Sequence, residues 1–118
     1  MSFYRTIMLW VLAAGMCMSS LNAYAGEDSG VRKVVNVGCH TGDGTCFVGL
    51  DGPAFGASLN CPTGATNQFR FDNGDTAIGK RAFAAFMAAY LSGKHVTVHF
   101  EGCSAQGYPT LQWFYVVD

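Results

Sequence analysis

The chain has 118 residues, seven Lys and Arg against eight Asp and Glu, a formal net charge of −1 and 50% hydrophobic residues. That length accommodates one domain with one core. The basic residues are scattered and form no stripe that could follow a phosphate backbone, which argues against a nucleic-acid partner.

The first 25 residues have the three parts of an export signal. Arg5 supplies the positive start, Ile7 to Met18 is mostly apolar, and Ala23-Tyr24-Ala25 has the A-x-A form of a signal-peptidase site. Cleavage after Ala25 is expected, with residues 26–118 as a single domain. The apolar run is short for a membrane anchor, so no membrane span is expected after cleavage. Cys17 is preceded by Met16, where a lipoprotein signal requires a small residue, and lipidation is set aside. The expected location is the periplasm or outside the cell.

Gly26 to Gly30 reads as a loose polar lead-in. Val31 to Gly38 is rich in valine and predicts a strand with Val31, Lys33, Val35 and Val37 on one face. His40 to Gly44 is turn chemistry, and Thr45 to Leu50 predicts a second strand that ends at Asp51-Gly52-Pro53. Ala54 to Asn60 reads as a weaker third strand with a bend at Gly56, and Gln68 to Phe71 as a short extended piece. Asp75 is the expected cap of a helix whose buried stripe is Gly79, Phe83, Phe86 and Tyr90, flanked by Ala82 and Met87. Gly79 would allow the helix to approach the barrel closely, and Gly93 supplies the stop. The period then changes from helical to alternating: Val96, Val98 and Phe100 face one way, and His95, Thr97, His99 and Glu101 the other. Thr110 to Val117 is the last strand. Its two apolar faces imply burial on both sides, or burial on one and a contact surface on the other.

The fold class predicted is mainly β with one helix: three strands, a helix and two strands, the order of an OB-fold-like five-stranded small barrel. Four cysteines follow the cleavage site, and an even count in a small exported chain reads as two disulfides with three possible pairings. The preferred pairing is Cys39–Cys46, a hairpin staple, with Cys61–Cys103, which closes a long loop.

Three stretches carry a family resemblance. Val34-Val35 through His40-Thr41-Gly42, followed by Cys46 to Gly52 (CFVGLDG), resembles the first hairpin of the B subunits of subtilase cytotoxin and typhoid toxin. Ala89 to Gly93, followed by Val96 to Glu101, is similar to their helix end and fourth strand. Short exported proteobacterial proteins of unassigned role are also similar around Cys61, Gly79-Lys80, Ser92-Gly93-Lys94 and Cys103. The resemblance implies a ring-forming, glycan-binding subunit on an OB-fold. Where those subunits place a serine before the first strand and a tyrosine on the fourth to bind sialylated glycans, this sequence has Arg32 and Phe100. Their sialic-acid site is therefore not carried over.

The remaining groupings favour binding over catalysis. His95 and His99 lie about 13 Å apart on a strand, too far to share a metal. Cys39-His40 with Cys46 lacks a fourth zinc ligand, and Asp72-Asn73-Gly74-Asp75 lacks the spaced ligands of a calcium loop. No metal site and no cofactor are expected. No catalytic triad, paired carboxylates or phosphate-binding loop stands out, so an enzyme is not expected. The candidate ligand-binding residues are Tyr108, Trp113 and Tyr115, joined by Phe47 and Phe69; exposed aromatics suit sugar rings or a protein partner. Ala77, Arg81, Ala84 and Ala88 form a helix face whose small side chains suit an oligomer contact. Two functions are carried forward. One is a non-enzymatic exported binding module for a glycan or other cell-surface ligand, resembling a toxin B subunit and able to form a homo-oligomer. The other is a monomeric periplasmic or secreted protein-interaction or inhibitor module.

Overall fold

The computed structural model describes residues 26–118; the predicted signal peptide lies outside the described residues. Its elements are β1 (Glu27–Asp28), β2 (Arg32–Cys39), β3 (Cys46–Leu50), a 3₁₀ turn (Ala57–Leu59), β4 (Gln68–Phe71), α1 (Ala77–Ser92), β5 (His95–Cys103) and β6 (Pro109–Val117). Strands β2 to β6 close a five-stranded barrel. β2 pairs antiparallel with β3 and β5, β3 with β4, and β5 with β6, while a parallel contact between β4 and β6 completes the ring. The single helix separates the third barrel strand from the fourth, the connectivity of an OB-fold.

The barrel interior follows from alternation. Val96, Val98 and Phe100 on β5 are fully buried, as are Val48 on β3 and Phe69 on β4. Phe69 packs against Phe86 and Phe100 with ring centroids 5.2 Å and 5.3 Å apart. Phe86 from α1 plugs the barrel end and also meets Phe114, at 4.4 Å. A buried phenylalanine at such a junction is worth about 3–5 kcal/mol against alanine.

Several expectations change. The third barrel strand is Gln68–Phe71; Ala54–Asn60 instead forms one bridge, Phe55 to Thr66, and the 3₁₀ turn. Left-handed backbone at Gly56 (φ 94°) and Asn60 (φ 56°) breaks that stretch at both ends. On β2 Val34 faces the core while Val31 and Val35 are exposed; a bulge between Val34 and Asn36 shifts the register, so Val37, expected on the face of Val31 and Val35, packs against the core as well. The lead-in is a strap: Glu27 and Asp28 pair with Phe100 and His99. Buried Ser29 donates its amide to the Val98 carbonyl (2.8 Å), and its hydroxyl accepts from the Val98 amide (3.0 Å). The Glu27 carboxylate accepts from the Gly56 amide and the Ser58 hydroxyl, tying the strap to the 3₁₀ turn.

The helix cap is Thr76, one residue beyond Asp75. Its hydroxyl accepts from the Gly79 amide at 3.1 Å, and it has the extended backbone a cap requires (ψ 162°). Gly93 ends the helix in the left-handed region, φ 70°. Of the expected stripe, Gly79 and Phe86 are buried with Ala82 and Ala89, Phe83 packs at the core edge, and Tyr90 is 46% exposed. The close approach at Gly79 is to the turn before the helix, because a Cβ there would lie 1.9 Å from the Asn73 carbonyl oxygen and 2.8 Å from the Gly74 Cα.

The cysteines meet as Cys39–Cys46 (2.07 Å) and Cys61–Cys103 (2.13 Å), across 7 and 42 residues of chain. Cys61–Cys103 ties the loop before β4 to the end of β5.

Two stability measurements follow. Glycine to alanine inside a helix normally gains about 1 kcal/mol, but Gly79→Ala is expected to lose about 1–3 kcal/mol because backbone atoms occupy the Cβ position. Urea denaturation of the variant reads the sign directly. In the same assay, replacing Cys61 and Cys103 with alanine should cost about 4 kcal/mol and replacing Cys39 and Cys46 about 2.5 kcal/mol, since the longer loop constrains the unfolded chain more.

Candidate binding faces

The structure divides the predicted aromatic set between two places. Tyr108 lies in the loop before β6, over Arg70. Trp113 and Tyr115 lie further along β6, stacked on each other at 5.9 Å. Phe69 is core and leaves the set, whereas Phe47 stays on the outer surface.

The first face is built by register. Gly38 on β2 pairs with Phe47 on β3, Phe47 with Arg70 on β4, and Arg70 with Thr110 on β6. These residues form one row across four strands. Phe69 and Phe71 point inward, so alternation sends Arg70 outward. Gly38 is the platform under Phe47, for a Cβ there would lie 2.5 Å from the ring. The Arg70 guanidinium sits 3.9 Å above the Tyr108 ring and 6.0 Å from Phe47, and His40 lies 5.7 Å beyond Phe47. Gln68 Oε1 accepts from Arg70 Nε (3.2 Å) and Nη2 (3.1 Å), and Gln106 Oε1 accepts from Nη1 (3.3 Å). Gln106 Nε2 donates to the buried Thr45 hydroxyl, which donates to Asp72 Oδ1; Asp72 Oδ2 accepts from the Ala105 amide at 2.8 Å. Asp72 thus joins the loop after β2 to the loop before β6, the two loops that flank the row. Asp43 in the first of these loops accepts from the Thr45 amide, which holds its carboxyl below the usual carboxylate range.

The second face lies on β5 and β6. The His99 ring stacks on Trp113 at 4.9 Å, nearly parallel. Its Nδ1 is 2.5 Å from Asp28 and its Nε2 3.4 Å from Glu101. Among the described residues, the buried Thr97 hydroxyl and His95 Nδ1 have no hydrogen-bond partner. Trp113 also borders a cavity of about 250 Å³ whose wall includes Phe71, Ile78, Leu111 and Phe114. Ile78, Trp113, Tyr115 and Val116 are 67, 45, 49 and 43% exposed; Leu111 and Phe114 pack partly against the core, and toward its end β6 is open on both faces. The helix residues Ala77, Arg81, Ala84 and Ala88 are all exposed.

Arg32 and Phe100 have structural tasks. Arg32 donates to the carbonyls of Ser29, Asp51 and Pro53, and Phe100 is fully buried. Sequence reasoning passed over Arg70, Gln68 and Gln106. The Phe69-Arg70-Phe71 alternation marks Arg70 as outward, but its stack with Tyr108 depends on the parallel contact between β4 and β6.

Among the described residues no group of three or more His, Cys, Asp or Glu could hold a metal ion, and no helix is long and apolar enough to cross a membrane. No family model matches the chain, and no curated protein or solved structure gives a significant match.

The hydrogen bond to Asp28 raises the His99 pKa above its ordinary 6.5, with Glu101 adding to the effect and desolvation opposing it. The folded state therefore binds the proton more tightly than the unfolded chain. The resulting stabilisation is full below the unfolded pKa and is lost as pH rises through the folded value. A proton NMR titration should place the His99 midpoint above 6.5, and the stability of a His99→Gln variant should lack that pH-dependent component.

Proposed function

We propose that the chain is an exported, non-enzymatic binding module that presents the outer face of β2, β3 and β4 to a glycan or another cell-surface ligand. The observation that carries this reading is the in-register row of Gly38, Phe47 and Arg70 with Tyr108 stacked on the guanidinium. Flat apolar faces beside oriented hydrogen-bond donors are what a sugar ring needs: C–H groups pack on the ring and hydroxyls meet the donors. An OB-fold offers this same surface, between its first and last long loops, to saccharides and oligonucleotides. The chain has no basic stripe for the latter. The resemblance of the HTG-to-DG hairpin to toxin B subunits points the same way, and two disulfides fit a periplasmic or secreted location.

A second reading, a protein-interaction or inhibitor module, is favoured by the exposed Ile78 and Trp113, which line the cavity, and by the exposed Tyr115 stacked on Trp113. The exposed Ala77, Arg81, Ala84 and Ala88 would serve a ring of identical subunits, as in the toxin B subunits; a monomeric inhibitor has no need of them.

A glycan array probed with the folded, oxidised protein separates the readings. Binding that is lost in Phe47→Ala and retained in Trp113→Ala supports the proposed face. No binding to any glycan by the folded protein contradicts it, and light scattering on the same sample decides between ring and monomer.

A further inference from the structure

We infer that Arg70 is a preorganised oxyanion site, and that the ligand of this face is a saccharide carrying an oxyanion, a carboxylate or a sulfate, beside its ring. The inference rests on the proposed binding face and adds the charge its ligand must carry. Every acceptor that orients the guanidinium is neutral: Gln68 Oε1 and Gln106 Oε1 take three of its five N–H groups. One N–H on Nη1 and one on Nη2 remain. Among the described residues no carboxylate lies within ion-pair distance of Arg70.

The nearby acids are already occupied. Asp72 accepts from the Thr45 hydroxyl and the Ala105 amide, and Asp43 accepts from the Thr45 amide and lies 3.4 Å from His40. Arg32 also gives three N–H groups to neutral acceptors, but these are the backbone carbonyls of Ser29, Asp51 and Pro53, which it ties together, whereas Arg70 is stacked on Tyr108 and held by side-chain amides on the proposed face. Arg70 is thus held in place by a stack and two amides, and among the described residues no carboxylate is paired with it.

This arrangement suits an incoming anion. A guanidinium stacked on Tyr108 has given up rotamer freedom before the ligand arrives, so less is lost per hydrogen bond formed on binding. A hydrogen bond to a charged group is worth roughly 1.5–3 kcal/mol, about ten- to hundred-fold in affinity. Phe47, 6.0 Å from the guanidinium carbon, provides the apolar face for the ring that carries the anion. Among the described residues the side-chain amide nitrogen of Gln68 makes no hydrogen bond, and it can donate to a ring hydroxyl.

The test is a titration of the ¹⁵N-labelled oxidised protein with three probes, following the Arg70 Nε–H, the Gln68 and Gln106 amides and the Phe47 and Tyr108 rings. The probes are the hyaluronan disaccharide (carboxylate), N-acetylglucosamine 6-sulfate (sulfate) and the neutral disaccharide of N-acetylglucosamine. One or both anionic probes should bind roughly ten-fold or more tightly than the neutral one, and which of them does so identifies the oxyanion. The preference should weaken with salt and disappear in Arg70→Gln, whose backbone spectrum reports whether it is folded. Tyr108→Leu, which removes the stack and leaves the charge, should reduce it partially. Equal affinity for the neutral probe at these resonances overturns the oxyanion inference and leaves the binding face standing. No perturbation by any probe overturns both.

Discussion

The parallel contact between Arg70 and Thr110 closes the barrel, and both surface faces take their composition from it. Thr110 donates its hydroxyl to the Arg70 carbonyl at 2.9 Å, beside the one residue pair that joins β4 to β6. Beyond that point β6 pairs only with β5. The contact brings the loop before β6 against the outer surface of β4, and Tyr108 comes to rest on Arg70. Trp113 and Tyr115, further along the same strand, are carried to the His99 side. One closure therefore sorts three aromatics into two sites.

The helix makes that closure possible. Phe86 fills the end of the barrel against Phe69, Phe71 and Phe114, rings from the two strands that meet in parallel. Its placement depends on Gly79, where the first turn of the helix presses on the Asn73 carbonyl, and on the Thr76 cap. Asp72, just ahead of that turn, holds the two flanking loops together through Thr45 and Ala105. Core packing and the shape of the binding face are thus joined within a few residues of the helix start.

Much of this fold was legible in residue periodicity. The change from the helical stripe of α1 to the alternation of β5 needs no partner to be recognised, and neither does the glycine stop at Gly93. What was not legible depended on pairing. A bulge between Val34 and Asn36 reverses the facing of half a strand, and a bulge leaves no mark in the order of apolar residues. The polar Gly26–Gly30 segment resembles a free end until Ser29 is seen exchanging hydrogen bonds with Val98, 69 positions away. The site was only half visible for the same reason. Aromatic residues drew attention to Tyr108 and Trp113, but a cation–π stack between β4 and a distant loop exists only after the barrel has closed.

The central claim is that barrel closure fixes Arg70 on Tyr108 before any ligand arrives. Nuclear Overhauser measurements on the free oxidised protein test it most directly. The account predicts cross-peaks between the Tyr108 ring and the Arg70 δ-methylene protons, with those protons shifted upfield by the ring current. An Arg70 side chain with random-coil shifts and no contact to Tyr108 would contradict it.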